Sequence, residues 1–151
     1  MRLRALKSDP SVFGATYEDK TKMADGEWQT ILKNQDEAIF GIFNGAALIG
    51  LTAISIHRDD PEKKQALLWG SWLELEYRGR GVSKMMYEAR LDWAQRHPTC
   101  EKIIVGHRDS NLASKFANQK YGFVYTSTEK ARRWPDGKVE DLHNYELIIK
   151  P

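Results

Sequence analysis

Between Leu73 and Lys84 the sequence reads Leu-Glu-Leu-Glu-Tyr-Arg-Gly-Arg-Gly-Val-Ser-Lys, in which an apolar run passes through a glycine-rich turn into an amphipathic pattern. Such a turn can cradle an anion. Glycine admits tight or positive-φ geometry, successive backbone N–H groups then converge, and the N-terminus of the following helix adds partial positive charge. Arg78, Arg80 and Lys84 flank the turn and would strengthen its attraction for a diphosphate. No Gly-Lys-Ser/Thr follows at Walker spacing, and the third glycine of a dinucleotide fingerprint is missing. Taken alone, Arg-Gly-Arg-Gly is also compatible with an ordinary strand-to-helix turn carrying solvated arginines, so its context has to decide.

The secondary structure around this turn is legible from periodicity. Met1 to Asn34 reads as helices broken near Asp9-Pro10 and Asp25-Gly26, with Trp28, Ile31 and Leu32 spaced to share a face. Ala38 to Phe43 and Ala46 to His57 are β-rich runs around Asn44-Gly45, a hairpin signal, and Ala66 to Leu75 reads as a third strand. After the glycine turn, Val82, Met85, Met86, Ala89 and Trp93 recur at helical spacing until His97-Pro98. Lys102 to Val105 predicts a strand, Asn111 to Lys120 a helix, and Gly122 to Tyr125 and His143 to Ile149 two further strands around a loop at Trp134-Pro135-Asp136-Gly137. The predicted order is αα-βββ-α-β-α-ββ.

Composition bounds the class. The 151 residues, 41% apolar and 29% charged, suit one domain spanning 1–151. A net charge of +2 gives no electrostatic case for nucleic acid, and no apolar run is long enough for a membrane span. The lone Cys100 excludes an intrachain disulfide, and without a signal peptide the expected location is cytoplasmic. His57 and His143 have no acidic or cysteine partners at metal-ligand spacing, so no metal is expected.

Arg78-X-X-Gly81-X-Ser83 resembles the Arg/Gln-X-X-Gly-X-Gly/Ala motif of the GNAT family of N-acetyltransferases. Asp109 to Phe116, followed by Lys120-Tyr121-Gly122-Phe123, is similar to the family's strand-to-helix turn and Gly-Phe ending, and Ser8 to Gly14 with Trp28 looks like its substrate-side helices. The resemblance implies an α+β acyl-CoA N-acyltransferase fold: a mixed central sheet flanked by helices on both faces, here lacking the usual first strand. It implies acetyl-CoA as cosubstrate and a primary amine, on a small molecule or a protein, as acceptor. A homodimer is a candidate assembly. A splayed strand around Trp72, Leu73 and Glu74 would leave N–H groups for the developing oxyanion and the pantetheine arm, with Leu73 the main donor. Arg78, Gly79, Arg80, Gly81, Val82 and Ser83 would hold the diphosphate, and Asn111 the pantetheine; Asn111 could equally be a plain helix N-cap.

Beyond the missing first strand, this sequence departs from the family pattern at three residues. Ser83 stands where Gly or Ala is usual. Asn118 stands where many members carry the tyrosine that protonates the departing thiolate, and Gly106 stands where some carry a catalytic glutamate. Glu74, Glu76, His107 and Asp109 remain candidate bases, needed because an amine attacks only as its free base. Cys100 lacks an activating pattern, so direct transfer is expected. Two rival readings are an acyl-CoA-binding sensor or scaffold of the same fold, and a domain using the turn for other phosphates.

Overall fold

A computed structural model describes residues 1–150 of the chain. It opens with α1 (Arg2–Ser8), a 3₁₀ turn (Pro10–Val12), α2 (Tyr17–Thr21) and α3 (Asp25–Lys33). The strands β1 (Glu37–Asn44), β2 (Ala47–Ile56) and β3 (Gln65–Leu73) follow, then a 3₁₀ turn (Leu75–Tyr77) and α4 (Val82–Arg96). The chain continues through β4 (Lys102–Arg108), α5 (Leu112–Lys120), β5 (Val124–Arg133) and β6 (Val139–Ile148). The six strands form one mixed sheet in the order β1-β2-β3-β4-β6-β5, in which only β3 and β4 run parallel. A parallel neighbour cannot be reached by a tight turn, so α4 is the crossover between them.

Alternation along the strands gives each face its cover. Ile54 and Ile56 of β2, with Ala66 and Leu68 of β3 and Ile103 of β4, pack against Tyr87 and Ala94 of α4. Leu51 lies three residues from Ile54 and therefore faces the other side. Its partner across the ladder, Trp72, packs there with Ala5, Leu6 and Phe13 of the N-terminal helices. Helices thus cover both faces of the sheet.

The structure differs from the periodicity reading in detail. The N-terminal region holds three α-helices, and Asp25-Gly26 opens α3 because Glu27 turns back to accept a hydrogen bond from the Ala24 N–H. The β1–β2 turn residues are Gly45-Ala46, with Asn44 still paired to Ala47. On α4 the buried residues are Met86, Tyr87, Arg90 and Ala94, whereas Met85 is 62% exposed. The inward stripe is therefore rotated by one residue and contains an arginine. β4 and β6 are longer than their apolar stretches, because polar residues such as Arg108 and His143 continue the ladder.

Candidate active site

β3 and β4 are hydrogen-bonded neighbours only at their beginnings, where Gln65, Ala66 and Leu67 pair with Lys102, Ile103 and Ile104. Beyond that the strands part. The cause lies partly in β3, whose pairing with β2 slips where Gly70 and Ser71 together oppose Thr52. Gly70 sits at φ 68, the left-handed geometry of a β-bulge, which bends and twists its strand. Past the bulge, the Glu74 N–H donates to Ile49 O at 2.9 Å, on the β2 side. Backbone polar groups alternate edges along a strand, so the N–H and C=O of Leu73 point away from β2 into the gap. The Leu73 carbonyl accepts from Arg78 Nε at 2.7 Å, which agrees with that orientation.

The glycine-rich turn sits at the mouth of this gap. Gly79 and Gly81 take φ 73 and 82, and Gly81 is the N-cap of the 15-residue α4. Lys84 N–H donates back to Gly81 O, while the N–H groups of Gly79, Arg80, Gly81, Val82 and Ser83 have no partner among the described residues. Nothing lies within 4 Å of where a Cβ would stand on either glycine, so the concave side of the turn is open. Five free donors at a helix N-terminus match the charge of a diphosphate.

Arg78 does not stand free for phosphate. Its guanidinium donates to Leu73 O and, through Nη2, to Asp9 at 2.8 Å, and Asp9 also accepts from Trp72 Nε1 at 2.6 Å. Burial raises the Asp9 pKa, but the hydrogen bonds from Arg78 and Trp72 outweigh it and hold the carboxyl below its usual range. Arg78 thus ties the end of β3 to the N-terminal helices. Arg80 is exposed near the Tyr77 ring, and Lys84 pairs with Glu88 at 3.7 Å.

The remaining expected residues fall at varying distances from the gap. Asn111 caps α5, its Oδ1 accepting from Ser114 N–H at 3.2 Å. Asn118 is 1% exposed, and its Oδ1 accepts from the Tyr87 hydroxyl at 2.6 Å while its Nδ2 is buried without a partner. Glu74 is ion-paired with Arg4, and Glu76 is exposed. His107 is buried with one ring nitrogen on Arg108 O at 2.9 Å, and burial lowers its pKa, which favours the neutral ring. Asp109 bonds His143 Nε2 at 2.8 Å, and His143 Nδ1 meets Thr128 Oγ1 at 2.9 Å. At Gly106 the space for a side chain is already filled by Leu142 and Asn144. Cys100 is buried, and burial pushes its thiol pKa up, away from a nucleophilic thiolate.

The sequence reading missed Ser71, exposed at the bulge, and the buried Tyr87 and Arg90 of α4 behind it. The available signal was Arg90 itself, an ionisable residue at i+4 from Met86 and i−4 from Ala94. Surface hollows of about 620 and 350 Å³ lie at the other end of the sheet, around Asp60 and Lys64, and Asp36 and His57, away from the gap.

Comparison with known proteins bears on the fold that carries this gap. A family model described as the Acetyltransferase (GNAT) family matches residues 3–123. No curated protein matches the chain. Among solved structures, an N-acetyltransferase from Staphylococcus aureus is 20% identical, with 90% of this chain and 79% of that one aligned at a TM-score of 0.74. A putative acetyltransferase from Salmonella typhimurium, solved with acetyl-CoA, is 14% identical over 91% and 76% of the two chains, with a TM-score of 0.74. Another Salmonella typhimurium enzyme, which modifies the N-terminal serine of a 50S ribosomal subunit protein, is 19% identical over 99% and 86%, with a TM-score of 0.78. At these identities the likeness is one of fold.

Proposed function

This chain belongs to the GNAT acetyltransferase family, and from that premise we propose that it transfers the acetyl group of acetyl-CoA to a primary amine by direct attack. The observation that carries the reading is the adjacency of the β3–β4 gap, into which the Leu73 N–H points, and the open turn of Gly79 to Ser83. Acetyl-CoA supplies an activated thioester and a diphosphate. The N–H groups of Gly79 to Ser83 would hold the diphosphate at the N-terminus of α4, and the free edge of β3 would pair with the amide-bearing arm as a strand would. Leu73 N–H would donate to the carbonyl oxygen as charge builds on it, and a preorganised donor of this kind contributes about 3 kcal/mol. Arg78 sets the position of Leu73 through its carbonyl. Asn111, already engaged as a cap through Oδ1, would turn its Nδ2 toward the arm.

The acceptor would approach on the side of α1 to α3, where Trp72, Asp9 and Glu74 lie. Among the candidate bases, Glu74 is the carboxylate next to Leu73, and a water between it and the amine would carry the proton away. The fold neighbour that modifies a ribosomal N-terminal serine makes a protein α-amine a reasonable acceptor beside small amines. A second reading, an acyl-CoA sensor of the same fold, draws support from Asn118, whose amide has no proton to give at neutral pH. Two measurements test the proposal. Thermal unfolding with acetyl-CoA should show stabilisation of about 2.7 kcal/mol at 100 times Kd, and thiol release with a panel of amines and N-terminal peptides should identify the acceptor. A flat thermal response up to millimolar acetyl-CoA would refute the coenzyme site, and binding without turnover on any amine would favour the sensor.

A further inference from the structure

Two arginines in this chain are almost wholly buried, and they are neutralised very differently. Arg108 is 2% exposed and meets Asp136 at 2.8 Å and Glu140 at 3.3 Å. Arg90 is also 2% exposed, yet no carboxylate lies within 4 Å of it among the described residues. Its Nε donates to Met86 O at 2.9 Å, its Nη1 to Ser71 Oγ at 2.8 Å, and its guanidinium carbon lies 4.6 Å from the centre of the Tyr87 ring. These partners are neutral. Burial lowers its pKa to about 10, which still leaves the group charged at neutral pH. A buried, uncompensated cation is costly, and its site would gain from any negative charge formed nearby.

Two chains of contacts lead from Arg90, one through Ser71 to the edge of the gap and one through Tyr87 into α5. Ser71, at the bulge where β3 leaves β4, bonds both Arg90 and Thr52, the latter at 2.8 Å. Tyr87, beneath the guanidinium, donates its hydroxyl to Asn118 Oδ1, which leaves the buried Nδ2 of Asn118 unpartnered. The other titratable groups in this core cluster are Tyr121, stacked on Tyr87 at 4.1 Å, Tyr145 and Cys100: phenols and a thiol, with no carboxylate. Thr52, Ser71, Arg90, Tyr87 and Asn118 therefore form one line from β2 through β3 and α4 to α5, with a positive charge at its centre and an unused amide donor at its end.

We propose that Arg90 is a positioning residue for acetyl transfer, whose buried charge, acting through Tyr87 and Asn118, favours the anionic form of the coenzyme sulfur. This rests on the reading of the β3–β4 gap as the coenzyme site. In the transfer the amine nitrogen bonds the acetyl carbon, the carbon–sulfur bond breaks with its electron pair on sulfur, and the proton lost by nitrogen passes to solvent. Asn118 has no proton to donate to that sulfur, so the departing group leaves as the thiolate. A fixed cation with neutral neighbours lowers the energy of that thiolate, and the Tyr87 hydroxyl holds the Asn118 amide so that Nδ2 can donate to it.

The test titrates the thiol of bound coenzyme A by the ultraviolet absorbance of its thiolate, in the wild-type protein and in Arg90→Gln, Arg90→Lys and Tyr87→Phe. In the wild type the bound thiol should titrate below its free value near 8.5, and Arg90→Gln should raise it by about one unit, or about tenfold less thiolate at a given pH. Arg90→Lys should keep most of the effect and Tyr87→Phe part of it. A residue that only braced α4 would lower the unfolding temperature without moving this titration. Equal values in wild type and Arg90→Gln, with coenzyme bound to both, would overturn the proposal. If Arg90→Gln does not fold, an unshifted Tyr87→Phe overturns it. A wild-type protein that binds no coenzyme A would overturn the site assignment itself and this proposal with it.

Discussion

The two ends of the β3–β4 pair are built from the same strands and do opposite things. At one end Ala66 and Ile103, both fully buried, sit on a regular parallel ladder. At the other end a bulge at Gly70 and Ser71 turns β3 aside, the Leu73 backbone faces the gap, and Arg90, bonded to Ser71, brings a charge to the interior behind the bulge. Closure at the first end makes opening at the second affordable in stability, because the sheet stays continuous through the ladder at Gln65 to Leu67. On the reading proposed above, the open end is the one that would receive acetyl-CoA.

That contrast can be broken at either end. The largest effect is expected from Ile103→Ala at the closed end, where removing a fully buried side chain should cost about 2–5 kcal/mol in denaturant unfolding, with the acetyl-CoA Kd of the folded protein unchanged. A change in Kd as large as the loss of stability would show that the ends are not separable. Next, Gly81→Val forces a β-branched residue to φ 82, a strain of about 1–3 kcal/mol, and should weaken acetyl-CoA binding in calorimetry about 10- to 100-fold. Arg58→Ala, an exposed site at the closed end, should leave binding as it was, and equal effects from the two would mean the cradle lies elsewhere.

A smaller effect is expected from Asn118→Ala at saturating acetyl-CoA. Loss of an orienting amide should lower kcat about tenfold with coenzyme affinity kept, well inside the 10²–10⁴-fold ascribed to acid–base help. A loss beyond about 10³-fold with binding intact would make Asn118 more than an orienting group. The smallest effect concerns pH. Asp9 is held below the usual carboxylate range, so its contribution to stability is present above the unfolded-state pKa near 3.9 and is lost as pH falls through its lower folded value. The group is a quarter exposed, so the contribution should stay below about 1 kcal/mol. Unfolding of Asp9→Asn should lack this acid-limb slope; an identical slope in wild type and variant would remove Asp9 as the tie between the N-terminal helices and β3.

Much of the fold was readable because it rests on local periodicity. The β1–β2 hairpin, the turn at Gly79 to Gly81 and the cap at Asn111 each follow from a few adjacent residues whose φ preferences and hydrogen-bonding groups act locally, whereas the third strand, read as running to Leu75, stops at Leu73. The inward stripe of α4 was misread by one position, since Met85 and Met86 are equally apolar and only packing against β2 and β3 decides which of them is buried. Likewise Arg78 looks like a phosphate ligand in a basic, glycine-rich stretch, but its partner Asp9 lies 69 residues away, and pairing over that distance has no local signature.

The chemistry on offer is written along the chain: a glycine turn that can face an anion, a helix to polarise it, and an asparagine at the position where the family resemblance implies a tyrosine acid. Tertiary structure alone decided which groups are free to act. It spent the Arg78 guanidinium on Leu73 and Asp9, buried Asn118 against Tyr87, and placed Arg90 in the interior without a counter-charge. The physical reason is that a hydrogen bond or a desolvation cost depends on which atoms meet through space, and those atoms come from strands and helices far apart along the chain.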